Sequence, residues 1–289
     1  MNALLISLRP RQWAKNVLVF AGVIFGGQLL DRASLVRAGV AFAVFCLLSS
    51  GVYLVNDVVD READLRHPVK ARRPIAAGTL PLPVAVIAAL LLLIGGLAVA
   101  VAVDRAFGRI AFVYVMLMAL YVGALKHVAL LDVTVIAAGF VLRAWAGAVV
   151  VDVPPSRWLF VLTVLLSLFL SLSKRRAELL TLADAAGAHR RALTGYNATL
   201  LNTLIALVTA STLVAYAWYT VSSETVVRFN TRELLLTLPL PALGVGRYLY
   251  LVYSGAGGAD PSEHLLSDWP LLASVALWVI SVVIVIYGR

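Results

Sequence analysis

Much of the chemistry that side chains usually supply is missing from this chain. A single cysteine, Cys46, sits in an apolar stretch, so there is neither an intramolecular disulfide nor a thiolate cluster for a metal. The four histidines, His67, His127, His189 and His264, fall in loops and belong to no HExxH or Ser/His/Asp pattern. No Walker-type or dinucleotide-binding glycine loop occurs. Nucleophilic catalysis therefore has little support. Charged residues are scarce as well, at 13% of the chain, about half the usual share. No soluble domain and no low-complexity linker breaks the apolar pattern.

What remains is an integral membrane protein. Hydrophobic residues reach 62% and the mean hydropathy is +0.94, well above a soluble domain at about 45–50%. Apolar runs long enough to cross a bilayer fall near 16–30, 34–56, 81–103, 107–124, 128–151, 157–173, 197–221, 231–252 and 268–287. The expected fold is all-α: one polytopic domain over 1–289, a bundle of nine transmembrane helices. The first run is short and starts from an amphipathic entry segment. Arg9, Pro10, Arg11 and Lys15 precede it and no clean cleavage site follows, which argues against a cleavable signal peptide.

The net charge of +9 raises the question of nucleic acid, but its distribution answers for a membrane. With nine spans and a cytoplasmic N-terminus, the inside segments carry Arg9, Arg11, Lys15, Arg61, Arg66, Lys70, Arg72, Arg73, Lys126, Lys174, Arg175, Arg176, Arg190 and Arg191. The outside segments carry Arg32, Arg37, Arg105, Arg109, Arg157, Arg228, Arg232 and Arg289, while Arg143 and Arg247 lie within spans. The bias follows the positive-inside rule. The two longest inside connections, 61–80 and 174–196, recur four spans apart, a hint of internal duplication too weak to prove at residue level. A third, 254–268, is rich in glycine and acid and reads as a flexible connection or a flap.

The most informative stretch is Asn56-Asp57-Val58-Val59-Asp60-Arg61-Glu62-Ala63-Asp64. On a continuous helix Asn56, Asp60, Asp64 and Asp57 fall at about 0°, 40°, 80° and 100°, while Glu62 points away. Acids at the end of an apolar span suggest function by default, since charge there costs several kcal/mol. Hard oxygen donors on one face suit Mg²⁺, which usually arrives with phosphate or diphosphate. The plainer alternative is a solvated loop with a few acids. The acids Asp57, Asp60 and Asp64 are thus catalytic candidates, and Asn56, Asp60 and Asp64 metal candidates.

Cations cluster near them: Lys70, Arg72 and Arg73 just downstream, and Lys174-Arg175-Arg176-Ala177-Glu178 in the later loop. Lys174 and Glu178 stand four apart and would pair on a helix; alternatively the three cations face the acids as a phosphate clamp. Before the first span, Arg9, Trp13, Lys15 and Asn16 read equally as an interfacial anchor or a substrate contact. Lys126-His127 adds a weaker basic site, with Asp132 a turn further on. Arg143, midway through a span, needs a carboxylate, backbone carbonyls or an anionic substrate.

Asn56-Asp57-x-x-Asp60-x-x-x-Asp64 in a nine-span chain resembles the first signature of the UbiA-type intramembrane prenyltransferases. That resemblance implies Mg²⁺ and a diphosphate at the cytoplasmic mouth of a helical bundle. Members that act on aromatic acceptors usually carry a second DxxxD signature; here the equivalent loop has Lys174-Arg175-Arg176-Ala177-Glu178, with Asp184 further on. Leu8-Arg9-Pro10-Arg11-Gln12-Trp13-Ala14-Lys15-Asn16, His67–Gly78, Leu125-Lys126-His127, Ser173–Leu179 and Asp260-Pro261-Ser262-Glu263 with Asp268 resemble one branch, the decaprenyl-phosphate phosphoribosyltransferases. The branch implies phosphoribosyl pyrophosphate as soluble donor and a polyprenyl phosphate as acceptor. It implies transfer at the bacterial inner membrane toward arabinan precursors, with no nucleic acid involved. Its substrate-binding residues would include Lys15, Asn16, Lys70, Arg72, Arg73, Lys126, His127, Arg143, Lys174, Arg175 and Glu178. An aromatic prenyltransferase using a polyprenyl diphosphate is the runner-up. A transporter is a third reading, opposed by acids at a helix end rather than near the bilayer midplane.

Overall fold

A computed structural model describes residues 3–67, 69–182, 191–254 and 267–288. Asp184, the 254–268 flap beyond Ser254 and before Ser267, and its Asp260 and Glu263 lie outside them. All regular structure among the described residues is helical, and eight helices are long and apolar enough to cross a membrane. They are α1 (Arg32–Val59), α2 (Leu82–Val103), α3 (Arg105–Gly123), α4 (Leu131–Val150), α5 (Arg157–Leu182), α6 (Ala198–Val221), α7 (Pro239–Tyr253, whose span begins at Glu233 in a 3₁₀ turn) and α8 (Trp269–Tyr287). The ninth expected span is different: Pro10–Phe20 is a 3₁₀ helix and Ala21–Phe25 one turn of α-helix. Helix α5 runs past its expected end at 173 to Leu182.

Several helix starts are fixed by side chains that the sequence places just before the apolar runs. Asp31, Asp104, Asn197 and Asp268 each accept a hydrogen bond from the backbone N–H three residues on, at 2.7–2.9 Å. The hydrogen bonds from Ser34 hold the Asp31 carboxyl below its ordinary range.

The chain divides into two compact units, α1–α4 with the N-terminal segment, and α5–α8. The first unit packs small residues against aromatics: Ala38, Ala41, Ala100 and Ala111 are buried beside Phe45, Phe107 and Tyr114. Phe45 meets Tyr114 edge-on at 5.2 Å between ring centres. Outward faces remain apolar, as at Leu91 and Ile94 of α2, because hydrocarbon rather than water surrounds them. In the second unit Trp278 donates to the Tyr216 hydroxyl at 2.8 Å, and Tyr216 meets Thr237 at 2.6 Å. Phe169 stacks edge-on against Tyr248 at 5.2 Å.

One close approach holds the N-terminal segment to α4. A Cβ on Gly22 would lie 2.6 Å from backbone atoms of Gly147 and Ala148, and one on Gly147 would lie 2.7 Å from the Val19 carbonyl carbon. Only glycine lets these backbones approach so closely. Gly147→Leu is expected to cost about 1–3 kcal/mol through overpacking, read as a lower Tm in detergent; an unchanged Tm contradicts this packing.

Candidate active site

The acid face begins where α1 ends. Asp60 leaves helical geometry (φ −87°, ψ 3°), and a short helix, Arg61–Leu65, follows. The ladder crosses the break: Asp60 N–H donates to Asn56 O at 2.9 Å and Asp64 N–H to Asp60 O at 2.8 Å. The expected spacing therefore survives a kink that a continuous helix would not have. Asp57 and Asp64 are buried, while Asn56 and Asp60 are partly exposed.

The four oxygen-bearing side chains fall into two pairs, each tied by a cation. Lys126 lies in the 3₁₀ turn Leu125–His127 between α3 and α4 and is itself buried. Its ammonium donates to Asp60 Oδ1 at 2.6 Å and Asn56 Oδ1 at 3.3 Å. Arg73 Nη1 donates to Asp57 Oδ1 at 2.9 Å and Asp64 Oδ2 at 2.7 Å. Burial pushes the Asp64 carboxyl above its ordinary range, against the pull of Arg73 and, more weakly, Lys70.

Local packing explains why Arg73 reaches both acids. Pro74, Ile75 and Ala76, which follow it, are buried, and Ile75 and Leu80 pack with Leu54, Ala85 and Ala89. Ala77 N–H returns to Arg73 O at 2.8 Å and Leu80 N–H to Pro74 O at 3.0 Å, with Gly78 at φ 74° completing the turn.

Arg9 completes the cluster. Its Nη2 donates to Asp57 Oδ1 at 2.5 Å, the oxygen that Arg73 also uses, and its guanidinium lies 4.9 Å from the Tyr53 ring centre. Arg9 adopts a left-handed backbone (φ 53°, ψ 61°), which costs about 1–2 kcal/mol for an L-residue and is unusual before proline. The flanking segment is pinned to α1: Ser50 Oγ donates to Leu8 O at 2.9 Å, and Trp13 Nε1 to Ser50 Oγ at 3.0 Å. Sequence reasoning placed Arg9 in the N-terminal motif but not among the site residues; no linear signal says which cation meets Asp57.

Other candidates sit elsewhere. Asn16 and Arg143 are brought together: Arg143 Nε donates to Asn16 Oδ1 at 2.7 Å, Nη1 to Gly139 O at 2.9 Å and Nη2 to the Tyr114 hydroxyl at 2.7 Å. Asn16 Nδ2 in turn reaches Ser49 Oγ and Cys46 Sγ, each at 3.3 Å. The mid-span arginine is thus solvated by neutral groups, a backbone carbonyl among them, and lies 4.6 Å from the Tyr114 ring centre. Lys15 and Lys70 are half-buried; Arg72 and His127 are exposed.

In the second unit, the three adjacent cations of α5 do not share a face. Arg175 is buried and forms an ion pair with Glu178. Arg176 turns instead to Asn202 Oδ1 at 2.7 Å and Val252 O at 3.1 Å, 3.9 Å from the Tyr253 ring centre. Lys174 is half-buried. A step of about 100° per residue separates them.

This arrangement, an oxygen-rich helix end laced with cations, agrees with the comparisons. The model of the UbiA prenyltransferase family matches residues 17–222. The chain belongs to the UbiA prenyltransferase family. It is 33% identical to the decaprenyl-phosphate phosphoribosyltransferase of Corynebacterium glutamicum, over 99% of this chain and 87% of that one. Against the enzyme of the same name from Mycobacterium tuberculosis it is 32% identical, over 96% of this chain and 91% of that one. The UbiA homolog from Archaeoglobus fulgidus bound to DMAPP and Mg²⁺ shares the fold, with a TM-score of 0.74, 19% identity and 99% coverage of both chains. The family match starts at residue 17, so Arg9, Lys15 and Asn16 of the UbiA chain stand outside it.

The donor set of this UbiA protein fits Mg²⁺ in kind. Among the described residues no three Asp, Glu, His or Cys side chains converge as a ready-made cluster. Mg²⁺ usually takes one or two carboxylates and fills its shell with water and substrate phosphates. Asn56 with Asp60, or Asp57 with Asp64, supplies that many hard oxygens.

Proposed function

We propose that this protein transfers 5-phosphoribosyl from phosphoribosyl pyrophosphate to a polyprenyl phosphate such as decaprenyl phosphate, releasing diphosphate, with Mg²⁺ required. The observation that carries the reading is the helix end where Asn56, Asp57, Asp60 and Asp64 meet Arg9, Arg73 and Lys126. Hard oxygens beside cations are what a metal-bound diphosphate needs. The two curated relatives at 32–33% identity support the choice of donor and acceptor. The metal, held by Asn56, Asp60 and Asp64, would neutralise the diphosphate as it departs.

This chain's residues do the rest by position and charge. Arg73 and Lys126 pass from the carboxylates to the phosphate oxygens of the donor, with Lys70 close enough to Asp64 to add its charge. The bond from C1 of the ribose to the diphosphate breaks, and positive charge develops on the ring beside Asp57 and Asp60. An oxygen of the lipid phosphate forms the new bond to C1. That phosphate is already an anion at neutral pH, so no general base is needed.

We further propose nine passes, with Pro10–Phe25 as the first. Its 11 residues of 3₁₀ helix and 5 of α-helix rise about 2.0 and 1.5 Å each, in all roughly 30 Å, a bilayer core. The site then faces the cytoplasm, where the donor is soluble, and the whole chain works as one catalytic domain in a bacterial inner membrane. Arabinan precursor synthesis is the role that follows from this product.

Diphosphate release with different donors tests the assignment. Release from phosphoribosyl pyrophosphate that depends on added polyprenyl phosphate is expected. Release from geranyl diphosphate with an aromatic acceptor, and none from the sugar donor, gives the assignment to the runner-up. Lys174→Ala is expected to raise the donor KM about tenfold with kcat little changed, the mark of lost binding. An unchanged KM makes Lys174 a helix-surface charge.

A further inference from the structure

The acid face is electrically closed by the protein itself. Three carboxylates, Asp57, Asp60 and Asp64, are matched by three contacting cations, Arg9, Arg73 and Lys126. Half of the match is buried, with side-chain exposure of 3% at Asp57, 5% at Asp64 and 9% at Lys126, while Arg9, Arg73 and Asp60 keep 25–27%. A divalent ion arriving alone would add two positive charges to a face whose carboxylates already contact cations, and would strip these cations of their partners. Leaving a buried charge unpaired costs several kcal/mol. Diphosphate arriving alone would set its charges against the carboxylates. The metal–diphosphate complex avoids both costs, because the carboxylates take the metal while the freed cations take phosphate oxygens. Arg9 is well placed to be released, since Arg73 already serves the same Asp57 oxygen.

We propose that Arg9, Arg73 and Lys126 are built-in counter-ions that make metal binding conditional on the diphosphate of the donor, an inference that rests on the transferase reading above. The chain then holds little divalent metal at rest and takes it up together with its donor.

The test is equilibrium dialysis of the purified full-length protein with Mn²⁺, alone and with inorganic diphosphate, on wild type, Lys126→Met and Arg9→Met. Wild type is expected to bind Mn²⁺ weakly alone and tightly with diphosphate. Removing a nearby positive charge is expected to tighten binding of Mn²⁺ alone about tenfold or more, and to shrink the gain from diphosphate. Loss of a cation that does not compete with the metal for these carboxylates would leave affinity for the bare metal unchanged. The inference is overturned if both folded variants, checked by circular dichroism, bind Mn²⁺ alone no more tightly than wild type. If Lys126→Met does not fold, Arg9→Met alone decides, since its partner Asp57 keeps Arg73. Wild type that retains no Mn²⁺ even with diphosphate overturns the transferase reading itself, a separate outcome.

Discussion

Asp60→Asn is expected to leave the protein folded and to reduce transfer at least about 10³-fold, or about 4 kcal/mol of transition-state stabilisation. Asparagine keeps the size of the side chain and an acceptor oxygen for Lys126, whose ammonium donates to Asp60 Oδ1 at 2.6 Å and to Asn56 Oδ1 at 3.3 Å. Asp60 is also the more exposed of the three acids, at 27%, so the structural loss stays small. What disappears is one negative charge in the face that would hold the metal. The loss should appear in kcat and kcat/KM together, because the interaction matters most as the diphosphate departs. Activity within tenfold of wild type, with the Tm preserved, contradicts the role given to this residue.

Arg73→Ala has the largest expected effect on stability. Arg73 joins Asp57 and Asp64, both almost fully buried, and among the described residues Arg9 remains to serve Asp57. Asp64 loses its contacting cation. Removing one partner of a buried ion pair costs about 3–5 kcal/mol. The sign of the pH dependence follows from Asp64. Burial already raises its carboxyl above the ordinary range, with Arg73 pulling the other way, and the variant raises it further. A carboxyl with a raised folded-state pKa favours the fold most when protonated, below its unfolded value near about 4. That contribution is lost as pH rises through the folded value. The Tm deficit of Arg73→Ala, measured with EDTA present, is therefore expected to widen from acid toward neutral pH. A deficit that is constant across this range contradicts the burial argument.

Much of the fold is legible in the sequence because one rule decides it. A helix in hydrocarbon must be apolar over about 20 residues, and α1 through α8 are, once α7 is counted from the 3₁₀ turn at Glu233. For the first run the winding was not legible: Pro10–Phe20 is a 3₁₀ helix, a choice that hydropathy does not encode. The acid face was legible for a local reason: Asn56, Asp60 and Asp64 are spaced by one helical turn, and the hydrogen-bond ladder survives the break at Asp60. Arg73 and Lys126 were legible as candidate cations, but which acid each one meets was not, because the partners come from separate segments. Lys126 lies 66 residues from Asp60 and Arg9 lies 48 from Asp57, and tertiary packing alone pairs them. Arg143 shows the same limit. Its position in a span demanded partners, but nothing in the sequence pointed to Asn16, Gly139 and Tyr114.

Transfer of ribose label from phosphoribosyl pyrophosphate into butanol-extractable lipid tests the central claim most directly. The assay needs only purified protein, Mg²⁺ and a polyprenyl phosphate, with EDTA as the control. Labelled lipid that forms with Mg²⁺ and vanishes with EDTA is the predicted result. No labelled lipid from a folded protein, alongside consumption of a polyprenyl diphosphate, contradicts it.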